Sequence, residues 1–216
     1  MDTFILIGIT GIGLGALYFL VASGLSLIYG LMGVLNFAHG SFLTVGAFVG
    51  FWLARTLGPD TSMPEFILAM IIGGLAAGAF ALLVEQLLIT RLYDRHIDQA
   101  LVTVGVSLVV GAVLGGWFGN DLIMFPTPLW FLTAVNVGGA MIPADRVVYI
   151  ATAVLLLIGN WILLKYTRIG LIIRAGVENR NMVNALGINV RRAFSTVFFL
   201  GGFAAGVGGV LVSVYS

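Results

Sequence analysis

Long apolar runs and short polar ones alternate along the chain. Residues 4–29, 41–57, 66–90, 100–118, 147–165 and 193–215 are nearly free of charge, and each is close to the ~20 residues that a helix needs to cross a bilayer. The pattern predicts an all-α, polytopic transmembrane helical bundle. Residues 24–50, GLSLIYGLMGVLNFAHGSFLTVGAFVG, depart from it, because Asn36 and His39 lie among Gly30, Gly33 and Gly40. Polar side chains at membrane depth are costly unless they face protein or a water-filled path, and irregular backbone is tolerated there only on the same condition. We therefore expect a broken helix near the N-terminus, with Asn36 and His39 at its centre. Discontinuous helices of this kind are where transporters bind or gate their cargo.

The polar segments set the orientation. Arg91 and Arg95 fall in one of them and Lys165, Arg168, Arg174, Arg180, Arg191 and Arg192 in another, whereas only Arg55 and Arg146 lie in the segments between. By the positive-inside rule the two basic segments are cytoplasmic. Residues 55–65 and 119–146 are then outside, and the last span ends outside. Upstream of Arg55 two parities remain open: two crossings put the N-terminus outside, and one crossing by a broken helix with an interfacial lead-in puts it inside. Trp52, Trp117 and Trp130 fall near the outer boundary and Trp161 near the inner one, the positions of an aromatic belt. Outside, residues 131–141 have strand-like character around Asn136-Val137-Gly138-Gly139, which predicts a small hairpin. Inside, residues 171–186 have helical spacing, with Ile172, Gly176, Met182 and Leu186 able to share one face and Gly187 as a C-terminal stop. Such a helix either rests on the membrane surface with its arginines snorkelling to lipid phosphates, or docks into a cytoplasmic partner.

Composition sharpens the picture. The chain is 60% hydrophobic and 9% charged, with mean hydropathy +1.13, where a soluble domain carries roughly 25% charged residues. Its 30 glycines among 216 residues are about twice the usual ~7% share. Pairs spaced by four recur at Gly11/Gly15, Gly46/Gly50, Gly74/Gly78, Gly111/Gly115 and Gly202/Gly206, which predicts close helix packing with further subunits nearby. A net charge of +1 leaves no electrostatic footprint for nucleic acid. With no cysteine, disulfides, thiolate metal sites and cysteine nucleophiles are excluded. No basic residue precedes Arg55, so the first run lacks the charged start of a secretory signal and reads as a retained span. Two histidines and scattered carboxylates offer no metal-ligand spacing and no nucleophile-base pair. We expect no catalytic residue and no metal.

Three stretches carry a family resemblance: GLSLIYGLMGVLNFAHG, then E-x5-R-LYDR-x2-DQALVTVGVSL from Glu85 to Leu108, then TRIGLIIRAGVENRNMVNALGINVRRAFSTVFFLGGFAAGVGGVL. Together they resemble the membrane-spanning permease subunit of branched-chain amino acid ABC transporters over almost the whole chain. The NFAHG and A-x2-E-x6-ALGI patterns are the most specific parts. The resemblance implies a single transmembrane permease domain over residues 1–216, multi-pass in the cell inner (plasma) membrane. It also implies a C-terminal truncation, since family members continue past the equivalent of Tyr215 with additional spans. The partners it implies are cytoplasmic ATPase subunits, a second permease subunit, and a periplasmic or lipid-anchored substrate-binding protein. Ala175, Glu178, Ala185, Leu186 and Gly187 would then lie in a coupling helix seated on an ATPase. Asn36, Phe37, Ala38, His39 and Gly40 would line the translocation path or its gate. No cofactor is expected in this chain, and ATP is expected on the partner subunits, because the phosphate-cradling G-x4-GK[ST] is missing here.

Other readings stay open. Urea and short-chain amide importers have similar permeases, a secondary transporter or channel could form a site from the broken segment unaided, and a scaffold could use the glycine faces to assemble other subunits. His39 is either a proton-sensitive gate or a structural hydrogen-bonder, and Asn36 either lines the path or caps the second half-helix. Glu85 is expected to approach the inner interface and pair with a neighbouring Arg. His96, among Asp94, Arg95 and Asp98, is expected in a solvated loop.

Overall fold

The computed structural model describes residues 2–58, 62–93, 95–119, 124–137 and 139–215. Its helices are α1 (Asp2–Met32), α2 (His39–Leu57), α3 (Met63–Leu87), α4 (His96–Phe118), α5 (Ala144–Tyr166), α6 (Arg168–Glu178), α7 (Arg180–Ala185) and α8 (Val190–Tyr215). A short hairpin, β1 (Ala134–Val137) and β2 (Ala140–Pro143), precedes α5. Among the described residues six helices, α1 to α5 and α8, are long and apolar enough to cross a membrane. The chain is a multi-pass, mostly helical membrane protein, as its hydropathy predicts.

α8 is the axis of the bundle. Of its apolar window 67% is buried, against 6% for α4, and α1, α2 and α3 pack around it. Its sequence explains this: GGFAAGVGG over residues 201–209 presents backbone where other helices present side chains, so neighbours approach closely. Gly46, Gly73 and Gly206 meet where α2, α3 and α8 cross. A Cβ on Gly73 would lie 2.6 Å from the Gly46 carbonyl oxygen, and one on Gly206 would lie 2.9 Å from that of Gly73. The predicted pairs Gly46/Gly50, Gly74/Gly78 and Gly202/Gly206 sit in these crossings, whereas Gly11, Gly15 and Gly111 face open space.

Contacts give the helix directions. Gly201 lies against Gly24 and Gly208 against Leu20, so α1 runs antiparallel to α8. Gly13 packs on Arg146 near the start of α5, and Leu27 and Leu31 share a cavity wall with Asn160 and Leu164 near its end, so α1 and α5 are parallel. α1 therefore starts at the end of the bundle that carries Arg146, which the charge rule puts outside. Of the two parities that hydropathy left open, the structure takes the one with two crossings. At this outer end Arg146 pairs with Asp145 at 3.1 Å. Its guanidinium lies over the rings of Tyr149 and Tyr215, 5.6 and 5.0 Å from their centroids, and ties the start of α5 to the end of α8.

Two local expectations are corrected. The hairpin starts later than predicted, pairing Ala134 with Pro143 through to Val137 with Ala140. Residues 129–132 form a 3-10 turn instead of strand, with Phe131 packed edge-on to Phe66 at 4.9 Å between centroids. Gly138 of the predicted turn, like Asp94, lies outside the described residues. On the inner side the single helix expected over residues 171–186 is two helices. Asn179, at φ −152° and ψ 92°, donates its N–H to the Ala175 carbonyl at 3.0 Å, and its side-chain oxygen accepts from the Met182 N–H at 3.0 Å. A short amide side chain that bonds locally competes with continued helix. Gly187 does stop α7: at φ +76° it donates to the Asn184 carbonyl at 2.9 Å, and Ile188 donates to the Val183 carbonyl at 3.3 Å, the paired bonds of a glycine C-terminal stop. The packed face also differs. Gly170, Ile173 and Gly176 are buried, while Met182 and Leu186, expected to share a face with Gly176, are 64% and 71% exposed.

Candidate functional site

The broken segment is a re-entrant strand of chain between two helices. Gly33, just past α1, takes φ +65°, a conformation that glycine adopts without the steric cost of a Cβ. Residues 34–36 then run back into the bundle outside any helix or sheet. His39 Nε2 lies 2.8 Å from the carbonyl oxygen of Val21, and because a carbonyl only accepts, the ring donates from Nε2. In a continuous helix these residues, 18 apart, would be separated by about 27 Å. The chain thus reverses after Met32 and climbs to the middle of the bundle before α2 starts. Gly24 makes room for the imidazole, since a Cβ there would lie 2.9 Å from His39 Cε1.

Burial alternates along the segment. Val34, Asn36 and Ala38 are buried, while Gly33, Leu35 and Phe37 face outward, the two-residue period of extended backbone. The five predicted residues therefore divide. Asn36, 4% exposed, and His39, 7% exposed, turn into the protein, with Ala38 buried between them; Phe37 is 56% exposed and Gly40 faces out with it. Asn36 does not cap α2, whose N-cap Ala38 has no side-chain bond. Its Oδ1 instead accepts from the Ala38 N–H at 3.1 Å and folds the turn before the helix. Phe37 donates its N–H to Thr103 Oγ1 of α4 at 3.1 Å, and that hydroxyl donates to the Gln99 carbonyl at 2.8 Å. Asn36 Nδ2 and His39 Nδ1 are buried without a partner.

Between α1 and the segment lies a cavity of about 330 Å³, lined by Leu25, Ser26, Tyr29, Leu35, Asn36 and Phe37. Leu25, Tyr29, Leu35 and Thr103 were missed as site residues. The helical spacing of Leu25, Ser26 and Tyr29 was a usable signal for the first two. Leu35 needed the extended backbone, and Thr103 needed the fold. On the inner side Ala175 is half-buried, and Glu178, Ala185, Leu186 and Gly187 are exposed. They lie at the ends of α6 and α7, beside the exposed apolar side chains of Val177 and Met182. This patch is separate from the broken segment but not remote from it. A second cavity, of about 460 Å³, has Gly33 and Tyr29 on one wall and Gly176, Val177, Tyr93 and Phe194 on the others.

The family described as "Branched-chain amino acid transport system / permease component" matches residues 7–216. The chain belongs to this permease family. It is 28% identical over 213 residues to the high-affinity branched-chain amino acid transport system permease protein LivH of Salmonella typhimurium, covering 95% of this chain and 69% of that protein. It is 26% identical over 215 residues to the permease protein BraD of Pseudomonas aeruginosa, again over 95% of this chain and 69% of the relative. A probable LivH of Methanocaldococcus jannaschii is 30% identical over 202 residues, 89% of this chain and 61% of the relative. No solved structure matches the chain.

In this permease Glu85 overturns its sequence-based expectation. It is fully buried and pairs with no basic side chain among the described residues. Tyr93 donates its hydroxyl to Glu85 Oε1 at 2.6 Å and Ser195 donates to Oε2 at 2.7 Å; Thr90 lies 3.2 Å from Oε1 and donates to the Glu85 backbone carbonyl at 2.7 Å. The reason is local. A 3-10 turn over Ile89–Arg91 ends α3 and carries Arg91 to an exposed position, and Arg95 pairs instead with Asp98 at 3.6 Å. His96 is exposed, as expected, but is the first residue of α4 rather than part of a loop. Among the described residues no group of His, Asp or Glu could hold a metal ion.

Proposed function

We propose that the chain is the membrane-spanning permease subunit of a binding-protein-dependent ABC importer that carries branched-chain or related amino acids across the inner membrane. The observation that carries this reading is the pairing of two features: an apolar cavity against a re-entrant segment, and an exposed cytoplasmic patch that reaches the base of that segment through a shared wall. The branched-chain amino acid transport permeases to which the chain is similar support the cargo class.

Leu35, Phe37 and Gly40 form the surface that the solute passes, with Leu25, Ser26 and Tyr29 opposite. An aliphatic amino acid needs such a wall, and weak contacts permit release, so high affinity is left to a substrate-binding protein. Ala175, Glu178, Ala185, Leu186 and Gly187 form the seat for a cytoplasmic ATPase, which hydrolyses ATP while this chain catalyses nothing. Closure of the ATPase pair displaces α6 and α7, and a bistable bundle passes that displacement to the segment starting at Gly33.

Co-purification tests the reading. The wild-type chain is expected to retain an ATPase, and variants at Glu178 and Gly187 to lose it. An importer carrying labelled leucine in the presence of its binding protein supports the cargo, and uptake of urea in its place assigns an amide importer. Absence of any ATPase under all conditions, with solute flux still present, would show a self-contained transporter or channel instead.

A further inference from the structure

A third cavity, of about 710 Å³, lies away from the broken segment, where α3 ends and α8 begins. The charge rule makes this end of the bundle cytoplasmic. Asn189, Arg191 and Arg192 stand at its mouth, and Leu82, Leu87 and Phe199 line its walls. Both arginines are exposed, and among the described residues neither pairs with a carboxylate. Asn189 Oδ1 accepts from the Arg192 N–H at 3.3 Å, so the group its side chain has to spare is the donating amide nitrogen. The mouth therefore offers donors and two positive charges, and no carboxylate lines the cavity. Glu85 is close by but fully buried, and Ser195, on the cavity floor, donates to it at 2.7 Å. Further in, the walls turn apolar. Phe199 lies about 12 Å beyond Arg191 along α8, and its ring rests on α3, where a Cβ on Gly78 would meet it at 3.0 Å. The cavity thus runs from a charged interface into the depth of the spans.

We propose that this cavity binds an acidic phospholipid of the inner leaflet, with the phosphate held by Arg191 and Arg192 and one acyl chain laid along Leu82 and Phe199. A guanidinium matches phosphate with two parallel hydrogen bonds, and basic pockets between spans on the cytoplasmic side suit such headgroups. The two ends of the cavity choose the occupant together. An acidic surface of a cytoplasmic protein meets the arginines but leaves the apolar walls beyond them unfilled, whereas a lipid fills both. A zwitterionic phospholipid brings an ammonium as well, and no carboxylate at the mouth receives it. The site also adjoins the contact between α3 and α8, because Ser195 lines the cavity on one side and bonds Glu85 on the other. Occupancy therefore fastens the start of α8, the axis of the bundle, to the end of α3. This inference needs only the membrane topology and stands whatever solute the permease carries.

The test is native mass spectrometry of the purified chain with phosphatidylglycerol and phosphatidylcholine of identical acyl chains. Phosphatidylglycerol is expected to bind more tightly and to raise the thermal unfolding temperature further. Each arginine is expected to contribute about fivefold, so Arg191→Gln combined with Arg192→Gln should weaken phosphatidylglycerol about 25-fold and leave phosphatidylcholine nearly unchanged. Arg168→Gln combined with Arg174→Gln removes the same charge from the same side of the membrane at exposed residues outside the cavity, and should leave the affinity close to that of the wild type. Phosphatidylglycerol with a photoreactive group on its acyl chain is expected to label residues 82–87 and 195–199. Equal affinity for the two lipids, equal losses in the two double variants, or labelling confined to other spans would overturn the site. Glycerol 3-phosphate binding as tightly as the lipid would overturn it too, by showing a pocket for a soluble anion. So would the loss of a co-purified ATPase from the Arg191 and Arg192 double variant with lipid affinity unchanged, which assigns the arginines to a protein contact. Should that variant fail to fold, the lipid comparison and the labelling on the wild type decide.

Discussion

Replacing Glu85 by alanine should be among the most damaging single changes available in this chain. The carboxyl is fully buried and is the acceptor for Tyr93 at 2.6 Å and Ser195 at 2.7 Å, while Thr90 keeps its 2.7 Å bond to the Glu85 backbone carbonyl whatever the side chain. Two half-buried hydroxyls thus lose a charged acceptor, at about 1–3 kcal/mol each, so Glu85→Ala should cost about 2–6 kcal/mol. Glu85→Gln keeps the volume and one accepting oxygen, and exchanges the other for a donor. It should cost about 1–2 kcal/mol, the loss of one such bond. The measurement is reversible unfolding in bicelles by steric trapping, with Ser195→Ala combined in a double-mutant cycle. If the two side chains act through their bond, the cycle should show a coupling of about 0.5–3 kcal/mol. Stability of Glu85→Ala within about 0.5 kcal/mol of the wild type, the range of an ordinary surface change, or a cycle with no coupling, would refute the hydroxyl cage as the clasp between α3 and α8.

The glycine crossings should be equally selective. Gly206→Leu meets Ala77 and the backbone of Gly73 and should cost about 3 kcal/mol or more by overpacking, whereas Gly11→Leu, which faces open space, should stay within about 0.5 kcal/mol; equal effects in the same unfolding assay would contradict the packing. Gly187→Val places a branched side chain at φ +76° and should cost roughly 1–2 kcal/mol, read as faster amide exchange confined to α7 and residues 186–189. Because the chain has no cysteine, single cysteines report topology directly. A membrane-impermeant maleimide should label Thr3→Cys from outside intact cells and Leu186→Cys only after permeabilisation; labelling of Thr3→Cys only from inside would reverse α1.

Much of this architecture is legible in the amino-acid sequence because lipid is a simple solvent. Each span must be apolar over about 20 residues and satisfy its own backbone, and the arginines choose a side, so the six crossings and the sidedness of the loops from Arg55 onward follow from composition along the chain. The stop at Gly187 is also local, since it needs only the residue that tolerates positive φ. The same logic marks Asn36 and His39 as residues that cannot face lipid. It does not say what they face. That depends on Val21, eighteen residues back, and on Thr103, 66 residues away from Phe37, and on an extended backbone whose alternation sends Phe37 outward and Asn36 inward. Glu85 is the clearest case: its partner Ser195 is 110 residues distant, and a hydropathy profile treats a carboxyl that meets hydroxyls like one that meets an arginine. The direction of α1 and the central place of α8 were likewise decided in three dimensions. Transfer to lipid is worth about the same to every apolar helix, and only close approach of backbones at Gly46, Gly73 and Gly206 distinguishes the helix in the middle from those around it.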